Sequence, residues 1–250
     1  MNRPIFIEYE TKTREFDGRL LLISNLLNKD VNEIYIGTKS GCQREALYHR
    51  NGIYFVKSLT HNAIPFYRKL KERGYDIILL HVEGGIFYKD MKETIQSYFP
   101  KDLMNYITYN FVFGNKIKQA IEDYIGSVNI TEKTIVSGEP RFDLLKPKYR
   151  LYFADEVKEI IQQYCDFILI NTSFSAANPH EGKTKLRDYI TKHPTYTKET
   201  KERLVFKMDF LKSVLEKYLT DIDVLASNFR NKNFVIRPHP SESKEKYINY

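Results

Sequence analysis

A chain of 250 residues, 42% hydrophobic and 14% aromatic, can bury a sizeable core and falls between one large domain and two ordinary ones, which excludes disorder as its dominant state. Its 39 Lys and Arg against 32 Asp and Glu give a net charge of +7, an excess that favours phosphate-bearing ligands or an anionic membrane surface. No RNA-binding or zinc-finger pattern accompanies the charge, so nucleic acid is not an expected partner, and Arg68, Lys69, Lys71 and Arg73 read as a solvated helix face.

In chain order, residues 4–8 read as a strand, and Phe16, Leu20, Ile23 and Leu27 then recur at helical spacing on one face. Strand patterns follow at 33–37, 53–57, 76–82, 110–114 and 134–138. Between them helices are expected at 41–49, at 65–73 with Gly74 as a left-handed cap, from Asn115, and briefly from Pro140. Ile77-Ile78-Leu79-Leu80 is continuously apolar, as a central parallel strand must be when both its faces are covered. This alternation predicts an α/β fold with a parallel sheet flanked by helices. A basic, proline-containing stretch at 146–149 marks a hinge, giving domains at 1–147 and 148–250. The second reads as helix 154–164, strand 167–171, one long or broken helix 198–229, and strand 233–237. Residues 172–197, with Pro179, Gly182 and Pro194, read as a long loop. Two strands cannot make a stable sheet with helices on both sides, so this second domain reads as incomplete.

Cys42 and Cys165, without CxxC spacing, support neither a disulfide framework nor a zinc site and fit a reducing cytosol. The start carries Glu8 and Glu10 instead of a basic head before an apolar run, so neither secretion nor membrane spanning is expected and a cytoplasmic location is.

In open parallel sheets ligands bind beyond the carboxyl ends of the strands, which directs attention to the polar residues there. Glu8, with Arg14, Glu15 and Asp17 on the following helix, is one group; helix-terminal charge balance explains these residues equally well. Glu83-Gly84-Gly85 follows the central strand, where glycines let a ligand approach the backbone and a partly desolvated carboxylate suits acid/base work on a hydroxyl; a tight turn with a solvated Glu is the alternative. His81 reads as a packed strand residue. In Ser137-Gly138-Glu139-Pro140-Arg141, helix N-terminal amides and Arg141 can face an anion, or Arg141 and Asp143 can hold the hinge.

Arg237-Pro238-His239-Pro240 directly follows a strand, and the two prolines restrict the backbone around one imidazole. Such a histidine can donate to a phosphate or sugar oxygen, and Arg237 can bind phosphate or carboxylate bidentately, with Ser241 and Glu242 adding hydrogen-bonding groups. Three other patterns fail. Gly37-Thr38-Lys39-Ser40 lacks the glycines of a P-loop, Asp221-Ile222-Asp223 sits in a helical pattern that turns its carboxylates apart, and His180, Glu181 and His193 lack metal-ligand spacing.

The ordered segments REFDGRLLLISNLL, GIYFVKS, HVEGGIF, VFGNKIKQAI, SGEPRFDLL, FILINTSFSAAN and FVIRPHPSE resemble the surface carbohydrate biosynthesis proteins of bacteria. These are similar to GT-B glycosyltransferases and, more distantly, to capsule-type Kdo transferases and CDP-glycerol polymerases. The resemblance implies two facing Rossmann-like domains, the first for a glycan or lipid-linked acceptor and the second for a nucleotide-sugar donor, with no tightly bound metal or cofactor and a possible peripheral contact with the inner membrane. It implies acid/base work for Glu83, contact with donor phosphate or sugar carboxylate for His239, and a donor-binding loop at Asn171, Ser173 and Ser175. Ser175 stands where the retaining Kdo enzymes carry an aspartate thought to be nucleophilic, so double displacement through that position is not expected. A sugar-nucleotide epimerase and a non-catalytic nucleotide- or glycan-binding partner are the competing readings.

Overall fold

The computed structural model describes residues 3–29, 31, 33–81, 91–126, 128–180, 183–194 and 196–249. The chain divides into two compact units, Met1–Leu151 and Tyr152–Tyr250. Among the described residues, no helix is long and apolar enough to cross a membrane.

The first unit runs β1 (Ile5–Tyr9), α1 (Lys12–Leu27), β2 (Ile34–Thr38), α2 (Lys39–Ala46), β3 (Ile53–Val56), α3 (Ile64–Glu72) and β4 (Asp76–Leu80). It continues with α4 (Met91–Tyr98), α5 (Lys101–Met104), β5 (Tyr109–Val112), α6 (Asn115–Ile125), α7 (Val128–Lys133), β6 (Thr134–Val136) and α8 (Pro140–Asp143). The strands form one parallel sheet in the order β2-β1-β3-β4-β5-β6, with Ile5 opposite both Ile34 and Ile53, and Ile53 opposite Asp76. This is an α/β, Rossmann-like sheet. Successive side chains of a strand point to opposite faces, and Ile77, Ile78, Leu79 and Leu80 are all buried, so helices cover both faces of β4. The core extends through Phe6, Tyr54, Tyr67, Leu70, Ile95 and Leu103.

Two glycines are required by their surroundings. Gly74 ends α3 at φ +79°, and a Cβ there would lie 2.2 Å from Asn51 Oδ1. Gly18, in α1, lets α8 approach so closely that a Cβ would lie 3.0 Å from the Arg141 backbone nitrogen and 3.1 Å from its Cα. Backbone atoms cannot rotate away. Gly18→Ala gains about 1 kcal/mol of helix propensity but overpacks by roughly 1–3 kcal/mol. We therefore expect a lower urea midpoint for the variant, in a position where a solvent-facing helix glycine would give a higher one.

The second unit contains α9 (Ala154–Tyr164), β7 (Phe167–Asn171), α10 (Lys183–Lys192), α11 (Lys198–Asn228), β8 (Asn233–Arg237) and α12 (Glu245–Ile248). Strands β7 and β8 pair in parallel from Phe167 opposite Asn233 to Asn171 opposite Arg237. Leu215, Leu219 and Ile222 recur along one stripe of α11 and pack with Ala177, Ile170, Phe174 and Ile236, which seats the helix on the sheet. Thr197 caps α11 by accepting from the Thr200 nitrogen at 3.2 Å. Asp221 and Asp223 are exposed on this helix, as its pattern predicted.

The elements differ from the sequence reading in places. The segment expected as a loop at 172–197 contains α10, whose Ile190 is buried and whose Arg187 pairs with Asp209 of α11 at 3.2 Å. The helices α4, α5 and α7 were not anticipated, because each is short and flanked by further apolar residues that blur its period. Leu80 ends β4, so His81 lies just past the strand, buried as expected.

Candidate functional site

In the second unit the loops after β7 and β8 are laced together at the carboxyl edge of the sheet. Thr172 N donates to Arg237 O at 3.2 Å, His180 N to Ser241 O at 2.9 Å, and Ser243 N to Asn178 O at 3.0 Å. At the centre lies Glu242, 1% exposed. It accepts from Thr172 Oγ1 at 3.0 Å, Phe174 N at 2.9 Å, His239 N at 3.2 Å and the Tyr247 hydroxyl. Those bonds occupy both carboxylate oxygens, so Glu242 positions the two loops and does not present itself to a ligand. Partial burial, together with its hydrogen bond to the Glu242 carboxylate, pushes the Tyr247 phenol up to about 12, which keeps it a donor.

Above this anchor stands an exposed group of donors. Arg237 Nε donates to Asn171 Oδ1 at 2.8 Å, which aims the guanidinium from the strand end while its terminal nitrogens bond none of the described residues. His239 is held through Nδ1, which accepts from Ser241 N at 3.2 Å. A nitrogen that accepts a backbone N–H carries a lone pair, so the proton of the neutral ring sits on Nε2. Ser241 Oγ lies 2.6 Å from Nδ1 and 2.6 Å from Ser175 Oγ. Asn171, Ser175, Arg237, His239 and Ser241, all named from the sequence, are thus brought together; Ser173 is exposed on the same loop. A guanidinium, an imidazole N–H and two hydroxyls on paired loops can bind an anionic oxygen.

In the first unit the strand order reverses between β1 and β3, which makes their carboxyl ends the expected binding crevice. Glu8 is buried there, accepting from the Tyr54 hydroxyl at 2.9 Å and Lys57 N at 3.3 Å, and burial raises its pKa. Its carboxylate is spent inside the sheet end, and it is Glu10, two residues on, that reaches the surface with its side chain 67% exposed. Lys57 Nζ, almost enclosed, bonds both Glu10 and Glu15, the latter at 2.9 Å. Burial pushes the Glu15 carboxyl up, but hydrogen bonds from Glu10 N at 2.8 Å, from Lys57 and from Arg14 at 3.0 Å outweigh it and hold Glu15 below its usual range. The Lys57 bond likewise holds Glu10 down. Arg14 therefore pairs within this network, and Asp17 lies half-buried one turn along α1.

The segment after β6 supplies its own anion. Ser137 N and Gly138 N both donate to Val112 O, and Arg141 N donates to the Glu139 carboxylate at 2.8 Å. The amide expected to face a ligand is already satisfied by the chain. Glu139 is buried, which raises its pKa, and Arg141 Nε lies 3.6 Å from it. Nearby Arg19 is 2% exposed with Nε and Nη1 lacking a partner among the described residues. Desolvation lowers its pKa against the opposing fields of Glu139, Glu15 and Glu8. Glu83, Gly84 and Gly85 lie outside the described residues.

Sequence reasoning grouped Glu15 with Glu8, Arg14 and Asp17 but gave no site role to Glu10 or Lys57. The readable signal was a carboxylate and a lysine each one residue beyond the end of an adjacent parallel strand. No family model, curated protein or solved structure matches the chain.

Proposed function

We propose that this chain is a glycosyltransferase that moves a sugar from a CMP-, CDP- or UDP-linked donor to a bacterial surface polysaccharide or its lipid-linked precursor. The observation that carries this reading is the exposed Arg237, His239, Ser241 and Ser175 cluster at the carboxyl ends of β7 and β8, where parallel α/β sheets bind phosphate-bearing ligands. In a GT-B arrangement that cluster takes the donor phosphate and the first unit takes the acceptor. The Nε2–H of His239 and the Arg237 guanidinium supply charge stabilisation at the departing phosphate. Ser175, hydrogen-bonded to Ser241 through its hydroxyl, offers no carboxylate nucleophile, which favours direct displacement of the nucleotide over a covalent sugar intermediate. The reaction would take place in the cytoplasm, with a peripheral contact to the inner membrane where the acceptor is lipid-linked.

Calorimetry against CMP, CDP and UDP, followed by nucleotide-release assays with donor and acceptor panels, tests the proposal. We expect one nucleotide to bind, with affinity reduced about tenfold or more in Arg237→Ala, since a hydrogen bond to a charged group contributes about 1.5–3 kcal/mol. Nucleotide sugar converted without any acceptor would point to an epimerase instead. Absence of binding by all three nucleotides would overturn the donor assignment.

A further inference from the structure

Beyond the carboxyl ends of β1, β3 and β4 lies a cavity of about 230 Å³, whose lining includes Glu10, Lys57, Ser58, His81, Ser97 and Tyr98. It sits at the reversal of strand order, and it is smaller than the roughly 300–1,000 Å³ of a drug-sized pocket, so it has room for one small ring. Its polarity is unusual for a chain of net charge +7. The ammonium of Lys57 is bound by two carboxylates, Glu10 and Glu15, and Arg14 is bound to Glu15 as well. Every cation of this network already has its anion. His81 adds no charge near neutral pH, because burial and the neighbouring Lys57 hold its pKa at about 4. An entering phosphate or carboxylate would have to displace Glu10 from Lys57 and meet the field of Glu15, so the cavity disfavours anions. What it offers is the exposed Glu10 carboxylate as an acceptor, the Ser58 and Ser97 hydroxyls, and the Tyr98 ring, whose centroid lies 4.5 Å from that of His81.

From this arrangement we infer that the cavity is a binding site for a neutral, polyhydroxylated ring of monosaccharide size, held by hydrogen bonds from its hydroxyls to Glu10 and by contact of its C–H face with Tyr98. The assignment rests on the transferase reading for its place in a reaction, as the sugar residue presented by the acceptor; its chemistry stands on the cavity alone.

Saturation-transfer NMR on the full chain, with methyl glycosides of glucose, galactose, mannose and N-acetylglucosamine and their 6-phosphates, tests it. At least one neutral glycoside should bind, its 6-phosphate should bind no tighter, and Glu10→Gln and Tyr98→Ala should each weaken binding about tenfold, the scale of one lost hydrogen bond or ring contact. Should either variant melt early, Ser97→Ala, an exposed change, should still weaken binding severalfold. Failure of all neutral glycosides to bind, tighter binding of the phosphates, or indifference to these substitutions overturns the inference. Nucleotide affinity measured on the same samples separates the two readings. Nucleotide binding without sugar binding removes this inference alone, and sugar binding without nucleotide binding removes the transferase reading.

Discussion

Glu242→Ala should cost the second unit about 3 kcal/mol or more, because it strands several buried donors at once. The Thr172 hydroxyl, the Phe174 and His239 amides and the Tyr247 hydroxyl all converge on this carboxylate, and Thr172 is itself buried. The loops after β7 and β8 would lose their common anchor, and the register of Arg237, His239 and Ser175 with it. Amide hydrogen exchange at Phe174 and His239 should accelerate strongly, while exchange in β1 to β6 stays unchanged. Glu242→Gln should fall between, since its amide keeps one acceptor oxygen but turns an NH₂ toward donors. Thr172→Val removes one donor to Glu242 and an acceptor for the Tyr247 hydroxyl, which keeps its bond to Glu242, and should cost about 1 kcal/mol. Unaltered exchange at both amides in the alanine variant would show that the loops are held by other means.

Glu242 also illustrates what a linear sequence conceals. As part of Arg237-Pro238-His239-Pro240-Ser241-Glu242 it reads as one more polar group available to a ligand. Its partners Thr172 and Phe174 stand 70 and 68 positions away, and only the parallel pairing of β7 with β8 brings them to it. His239 escapes this difficulty. Its aim is set locally, by its own prolines and by the Ser241 amide two residues on, so the sequence alone marks it as an oriented group. The same contrast runs through the first unit. Ile77 to Leu80 announces a central strand because burial on both faces demands continuous apolar character. Glu8 and Lys57, by comparison, acquire their roles only when β1 and β3 pair directly in the sheet, although β2 separates them in sequence. Helix α10 was hidden for a different reason: Leu186, Tyr189 and Ile190 are its only large apolar residues, too few to impose a period against the flanking Gly182 and Pro194.

For His239 the expected result is a loss of transfer of about a hundredfold in His239→Ala, the scale seen when one preorganised donor to a developing anion is removed. The fold should be unaffected, because the ring is exposed and its described hydrogen bonds are confined to the Ser175 and Ser241 groups. Two near-isosteric changes divide the ring's duties. Asparagine places a polar atom close to Nδ1 and can preserve the link to Ser241, whereas glutamine reaches the position of Nε2 and can still donate outward. If the outward N–H stabilises the departing phosphate, glutamine should retain more turnover than asparagine. The opposite order would make His239 a support for the Ser241 and Ser175 hydroxyls. KM against kcat refines the answer further. A donor that acts mainly in the transition state lowers kcat with little change in KM, while one that only tethers the nucleotide raises KM and leaves kcat intact. Full activity in all three variants would remove the imidazole from the mechanism and leave Arg237 as the charged group that meets the donor.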